Sequence, residues 1–195
     1  MTQDLSRGPW SFRPLTPERW ADLAALFGPR GACGGCWCMS WLVTRKEFEA
    51  RKGEGNRRAF KAIVEKGAEP GILAYANGEP VGWCAVAPRE RYLRLERSRT
   101  LARVDAEPVW SIVCFFVAKA HRRSGLSVAL IRAAAELAAA KGARIVEGYP
   151  VEPYSERMPA AFAWTGTVSA FRQVGFVEVA RRSRTRPIMR LAIGR

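Results

Sequence analysis

Apolar and polar positions along the chain fall into stretches of period two and period 3.6, separated by glycine and proline. Ser11 to Leu15 alternates weakly and predicts a short first strand. Thr16-Pro17-Glu18 follows: a cap residue, a proline whose φ is preset for the first helical position, and an early acid. A helix begins there. Trp20, Leu23, Ala24 and Phe27 recur at helical spacing until Gly28-Pro29 ends the pattern. Arg30 to Ser40 is a loop rich in glycine and cysteine, and Lys46 to Lys66 is helical but broken near Gly53 and Gly55, which predicts two pieces.

Gly71 to Ala76 and Val81 to Val86 flank Asn77-Gly78-Glu79-Pro80, and Asn-Gly supplies the positive φ that a tight hairpin turn demands. Pro88 to Asp105 is arginine-rich and poorly periodic, and predicts a surface connection with a single helical turn. Val109 to Val117 is the most apolar stretch, dominated by β-branched and aromatic residues, so a central strand buried on both faces is expected. From Ser124 to Lys141, Leu126, Leu130, Ala133 and Leu137 share one helical face and Gly142 is the stop. A strand over Ala143 to Tyr149, a helix over Thr167 to Val174 ending at Gly175, and strands over Phe176 to Arg181 and Ile188 to Ile193 complete the chain.

With 195 residues, 48% of them hydrophobic and 26% charged, the composition suits one globular domain over residues 1–195 with a core of its own. The longest apolar run, Ile112 to Ala118, is far below a membrane span, and Met1 to Trp10 lacks the apolar segment of a secretory leader. The expectation is a soluble, cytoplasmic protein. Five cysteines, an odd number, then point to reduced thiols rather than a disulfide framework. The net charge of +14 changes the picture more, because a field of that sign attracts phosphates and other anions and opposes cationic ligands. It equally reads as solvated arginine on helix faces.

The chemistry concentrates at one junction: a buried strand, then His121-Arg122-Arg123-Ser124-Gly125-Leu126-Ser127, then a helix. Free amides at a helix N-terminus, reinforced by the macrodipole, receive phosphate oxygens, and a glycine there lets the backbone approach closely. No Gly-Lys-Ser/Thr is present and only one glycine stands in the turn, so neither the nucleotide-triphosphate loop nor the dinucleotide fingerprint applies.

Strand, Arg-x-x-Gly-x-small, helix resembles the pyrophosphate motif of the GNAT N-acetyltransferase superfamily, over Val117 to Ser127. The last small position is usually glycine or alanine in that family and is Ser127 here. The hairpin before the motif, the strand after its helix, and a later helix ending in Gly175-Phe176 extend the resemblance over about Thr16 to Leu191. It implies an α/β (α+β) fold with a mixed, mostly antiparallel sheet of six or seven strands and helices on both faces. It also implies acetyl-CoA as co-substrate, with the pantetheine arm and thioester on the backbone of Phe115, Phe116 and Val117 and the diphosphate on Arg122, Arg123, Ser124, Gly125, Leu126, Ser127 and Val128. Many relatives carry a tyrosine four residues before the glycine of the second motif, where it can protonate the departing thiolate. This chain has Phe171 there, among the expected cofactor contacts. The acid is left to Thr167, Ser169, Tyr149, a water, or no group at all.

An amine must be neutral to attack a thioester, so a base or a water path should face the splayed strands. The period of two puts Ile145, Glu147 and Tyr149 on one strand face, which nominates Glu147 as base and Tyr149 beside it, although Glu147 also reads as a paired surface carboxylate. Cys33-Gly34-Gly35-Cys36-Trp37-Cys38 offers three thiolates where zinc prefers four ligands, so no metal is expected. The loop is expected instead to set Trp37, Met39 and Trp41 over the acceptor pocket. Cys84 and Cys114 read as small core hydrophobes.

The function these expectations support is acyl-CoA-dependent N-acyl transfer, with acetyl passing to the amine of a small neutral or acidic acceptor, by a monomer or homodimer that engages no membrane. The rival is a basic nucleic-acid-binding module on the same fold, resting on Arg89 to Arg103 and Arg181 to Arg190. It lacks helix-turn-helix or zinc-finger spacing and any interleaving of aromatics with the basic runs, which makes a nucleic-acid partner the weaker expectation.

Overall fold

The computed structural model of the chain describes residues 5–152 and 163–194. Eight strands form one sheet: β1 (Leu5–Arg7), β2 (Trp10–Pro14), β3 (Gly71–Ala76), β4 (Glu79–Pro88), β5 (Trp110–Val117), β6 (Ile145–Gly148), β7 (Val177–Arg181) and β8 (Pro187–Ala192). Their spatial order is β1-β2-β3-β4-β5-β6-β8-β7, antiparallel throughout except for β5 beside β6. This is the mixed sheet the sequence implied. The three-residue β1, too short to show a period, folds back on β2 and makes the eighth strand.

Helices α1 (Trp20–Phe27), α2 (Arg45–Ala50), α3 (Glu54–Glu65) and α4 (Leu93–Glu96) precede β5, and α5 (Leu126–Ala140) and α6 (Val168–Val174) follow it. The break between α2 and α3 falls where Gly53 takes a left-handed φ, and Thr44 and Glu47 close a reciprocal cap on α2. Two apolar layers sandwich the sheet. One joins Phe12, Ile72, Cys84, Val86, Ile112 and Phe115 to α5 and α6, and the other joins Leu73, Trp83, Ala85 and Val113 to α1 and α3. Because both faces are covered, β3 and β4 read as continuous apolar runs and do not alternate.

Two irregularities open the centre of the sheet. In the β4–β5 ladder Ala85 pairs with Cys114 and Val86 with Ile112, so Val113 is an extra residue and β5 bends there. Beside it, β5 and β6 stay paired only over Trp110↔Val146, Ser111↔Glu147 and Ile112↔Gly148, after which they diverge. The segment 163–167 crosses the resulting gap, with the Trp164 carbonyl accepting from the Phe115 amide at 2.7 Å and Val151 bridging to Thr167.

The connection 89–105 departs from its expected surface position. Tyr92, Leu95 and Leu101 are buried, and so is Arg89, because the chain turns inward just after Pro88. The strand expected over 143–149 is also shorter, since the divergence ends β6 at Gly148. Gly148 permits a close approach at the vertex of the gap. A Cβ there would lie 2.1 Å from the Phe171 ring, itself fully buried.

Gly148→Ala is therefore expected to push Phe171 off its site and destabilise the fold by about 2 kcal/mol or more, within the usual range for overpacking. Thermal unfolding should show Tm falling by roughly 4–8 °C for a chain of this size.

Candidate active site

The turn between β5 and α5 is built by its own backbone. Arg123 and Gly125 both take left-handed conformations, at φ 61° and 87°, so successive amides converge on one side. Among the described residues no acceptor takes the amides of Arg123, Ser124, Gly125, Leu126 or Ser127. A Cβ on Gly125 would meet nothing within 4 Å, so that side is open. Five free donors at the positive end of a fifteen-residue helix make an anion cradle. Ser124 Oγ donates to the His121 carbonyl at 2.7 Å and Arg122 Nε to the Val117 carbonyl at 3.2 Å, which holds the turn against the end of β5.

The expected set needs two corrections here. The Val128 amide is already bonded to the Gly125 carbonyl, as the first closed bond of the helix, and the Leu126 side chain is core, so only its amide faces the cradle. Along the gap, Phe115 and Val117 face the missing partner, whereas the ladder alternation turns Phe116 to β4. The Ala118 amide, two residues on, donates to Val81. The Phe115 amide is not idle either, since Trp164 takes it.

Glu147 and Tyr149 share a face as the period of two required, but that face is dry. Glu147 is fully buried and ionically saturated: Oε1 accepts from Arg89 Nη1 at 2.8 Å and the Tyr149 hydroxyl at 2.6 Å, and Oε2 from Arg190 Nε at 2.7 Å. Arg89 further bonds Glu96 and the carbonyls of Leu95 and Leu101, and Arg190 reaches Asp105. Tyr149 also exchanges a hydrogen bond with Ser111 at 2.8 Å. Burial pushes the Tyr149 phenol well above its usual pKa, and the Glu147 charge adds to it. Burial opposes the charge on Arg89, yet Tyr149, Glu147 and Glu96 outweigh it and hold its pKa above the ordinary value. A fully buried carboxylate whose two oxygens already accept three hydrogen bonds has no access to an amine, so the assignment of Glu147 as base, with Tyr149 among the candidate acids, is corrected to a structural ion cluster. Arg89 and Arg190 went unrecognised because each sits inside an arginine-rich run. The one local signal was an arginine directly following a buried strand.

The aromatic loop divides in the same way. Trp37 stacks on Trp20 at 5.9 Å and packs against Phe27, and Met39 is buried, so both are core and not pocket. Trp41 alone reaches a cavity of about 330 Å³, together with Trp164, Arg94, Arg186, Ser98 and Thr100. The Trp41 indole N–H donates to the carbonyl of the bulged Val113 at 3.1 Å, and its ring lies 5.7 Å from that of Trp164. The cavity thus abuts the bend in β5, across the sheet from α5. Ser169 is exposed on the first turn of α6, its hydroxyl 3.1 Å from that of Thr167, the cap of that helix. Phe171 lies beneath the gap, edge-on to Phe115 and Phe176, and its ring offers no proton.

The model of the acetyltransferase (GNAT) family matches residues 38–163, well over half the sequence and inclusive of the bulged strand and the cradle. The chain belongs to the GNAT family. It is accordingly an acetyltransferase that uses acetyl-CoA. No curated protein matches it significantly. Solved structures share the fold over nearly the whole length of both chains. A GNAT-family acetyltransferase from Streptococcus agalactiae is 11% identical with a TM-score of 0.58, covering 99% of this chain and 100% of its own. The ribosomal-protein-S5-alanine acetyltransferase of Vibrio fischeri is 8% identical with a TM-score of 0.55, over 97% and 96%. The PaiA N-acetyltransferase of Thermoplasma acidophilum, solved with coenzyme A, is 13% identical with a TM-score of 0.52, over 94% and 99%. No described helix of this GNAT chain is long and apolar enough to cross a membrane.

The cysteines of the GNAT chain are placed apart. Cys33 is exposed, Cys36 is half-buried with its thiol toward the Gly31 carbonyl, and Cys38 is buried, receiving the Trp83 indole N–H at 2.9 Å. Cys38 Sγ lies 4.0 Å from Cys114 Sγ, and that contact, with burial, holds the Cys38 thiol well above its usual pKa; burial raises Cys36 and Cys84 likewise. Neutral thiols are poor zinc ligands. Elemental analysis of protein purified without added metal is expected to find well under one zinc per chain, and zinc lost in Cys36→Ser would contradict this. For the ion cluster, Glu147→Gln leaves two guanidiniums facing a neutral amide, so urea unfolding should show about 3–5 kcal/mol of stability lost. A Glu147→Gln protein of parental stability but lost turnover would restore the catalytic assignment.

Proposed function

We propose that this GNAT enzyme transfers acetyl from acetyl-CoA to the amine of a small neutral or acidic acceptor by direct attack. The observation that carries the reading is the run of five acceptor-less amides, Arg123 to Ser127, at the N-terminus of α5 beside the gap. They suit the diphosphate, with the exposed Arg122 and Arg123 side chains adding charge. The backbone of Val117 and, once the Trp164 carbonyl is displaced, the amide of Phe115 suit the pantetheine arm and the thioester oxygen.

The amine lone pair adds to the thioester carbonyl, the C–S bond breaks, and coenzyme A leaves as its thiolate. A thiol pKa of about 8.5 makes that a tolerable leaving group, so general-acid help is modest. With Glu147 and Tyr149 engaged elsewhere, the proton lost by the amine passes to water. The net charge of +14 favours a polyanionic donor and disfavours polycationic acceptors. The nucleic-acid alternative is weakened because four arginines of its basic runs are engaged within the chain: Arg89 and Arg190 in the ion cluster, Arg181 with Glu152 and Glu178, and Arg182 on the carbonyls of Ala102 and Arg103.

Calorimetry with acetyl-CoA tests the cradle. Gly125→Glu places a Cβ at a left-handed position and a carboxylate beside the diphosphate, and is expected to weaken binding by about 10²-fold or more, a cost of roughly 3 kcal/mol, while circular dichroism stays unchanged. A folded Gly125→Glu protein with parental affinity would sink the assignment.

A further inference from the structure

The cavity at the bend of β5 holds two cations with no counter-charge among the described residues. Arg186 is half-buried, and its side-chain partner among the described residues is the Thr165 hydroxyl, at a long 3.5 Å. Burial depresses its pKa, as expected of a guanidinium with no carboxylate beside it. Arg94 donates to the carbonyl and hydroxyl of Ser40 and lies over the Trp41 ring at 5.9 Å, again with no described carboxylate in ion-pair range. Arg89, Arg181 and Arg190, by contrast, are all paired with acids. A partly desolvated guanidinium with five donors and one marginal acceptor among the described residues has hydrogen-bonding capacity that an anionic ligand can use.

The other walls specify the rest of the ligand. Trp41 and Trp164, with ring centres 5.7 Å apart and planes inclined by 33°, pack on each other and form one apolar wall of the cavity. The same two residues grip the bend itself, through the Trp41 N–H on Val113 and the Trp164 carbonyl on Phe115. A molecule packed against that wall lies next to the backbone of Val113 and Phe115, where the proposed function puts the thioester. A volume of about 330 Å³ is at the small end of ligand sites and suits something of amino-acid size.

We infer that the acceptor is an amino-carboxylate with a flat or apolar side chain, an amino acid or close relative, and that Arg186 binds its carboxylate as a specificity-determining residue. Trp41 and Trp164 hold its side chain, and Arg94 supplies the second positive charge of the site. A single unpartnered fork matches the two oxygens of one carboxylate. The inference rests on the acetyl-transfer reading above.

The test follows thiol release from acetyl-CoA with the common L-amino acids, their C-terminal amides, spermidine and phosphoethanolamine as acceptors. The expected result is that at least one aromatic or large apolar amino acid is acetylated, with kcat/KM at least 10-fold above that of its amide. Arg186→Met should raise the KM of the acid about 10-fold or more and erase the preference over the amide, Arg186→Lys should recover part of it, and acetyl-CoA affinity should stay within about twofold in both variants. Amides used as well as acids, a preference for spermidine or phosphoethanolamine, no accepted amino-carboxylate, or an Arg186→Met variant that retains the preference would each overturn the inference. Calorimetry with acetyl-CoA alone separates the two readings. A chain that does not bind acetyl-CoA fails as a transferase, taking this inference with it, and one that binds it but rejects amino-carboxylates fails here alone.

Discussion

Arg89 and Glu147 meet in the interior where four parts of the chain converge: the end of β4, the end of β6, the middle of β8 through Arg190, and the connection 89–105 through Glu96 and Asp105. A lone buried charge at that point would cost several kcal/mol, so the partners must all be present before any of them is tolerable. Every remaining donor of Arg89 is used on a carbonyl of the connection or on Tyr149, which fixes where that arginine-rich segment lies. The segment in turn forms one wall of the cavity, through Arg94, Ser98 and Thr100. Cluster and pocket are therefore one construction.

The same cluster constrains the chemistry. It occupies the titratable groups on the strand after the cradle helix, and the described lining of the gap between β5 and β6 is backbone groups and indoles. Backbone donors carry no pKa within the working range, so the site is preorganised without acid–base tuning. On the reading proposed above, the rate of acetyl transfer is set by how well the acceptor is positioned and how much of it is neutral. That places the weight of specificity on the cavity.

Between cradle and cavity stand two tryptophans that bind the strand directly. The Trp164 carbonyl accepts from the Phe115 amide, and a buried amide needs some acceptor. That bond ties the backbone of β5 to Trp164, and hence to the apolar wall that Trp164 forms with Trp41. The bulge at Val113 makes both contacts possible by turning one extra carbonyl out of the ladder.

What the sequence determined by itself was local. The hairpin at Asn77-Gly78, the stop of α5 at Gly142 and the tight turn at Gly125 each depend on backbone conformations that a few adjacent residues dictate, and each lies where the pattern put it. The alternation along β6 likewise set Glu147 and Tyr149 on one face. Whether that face was wet or dry depended on Arg89, 58 residues away, and Arg190, 43 away, and no periodicity links them. Trp37, Met39 and Trp41 read alike as apolar residues in a loop. The left-handed turns at Trp37 and Cys38 sent the first two into the core and left only Trp41 at the cavity. Tertiary structure decided these matters because burial of a charge or a ring is a property of everything packed around it, and the packing partners come from distant strands whose meeting no local pattern encodes.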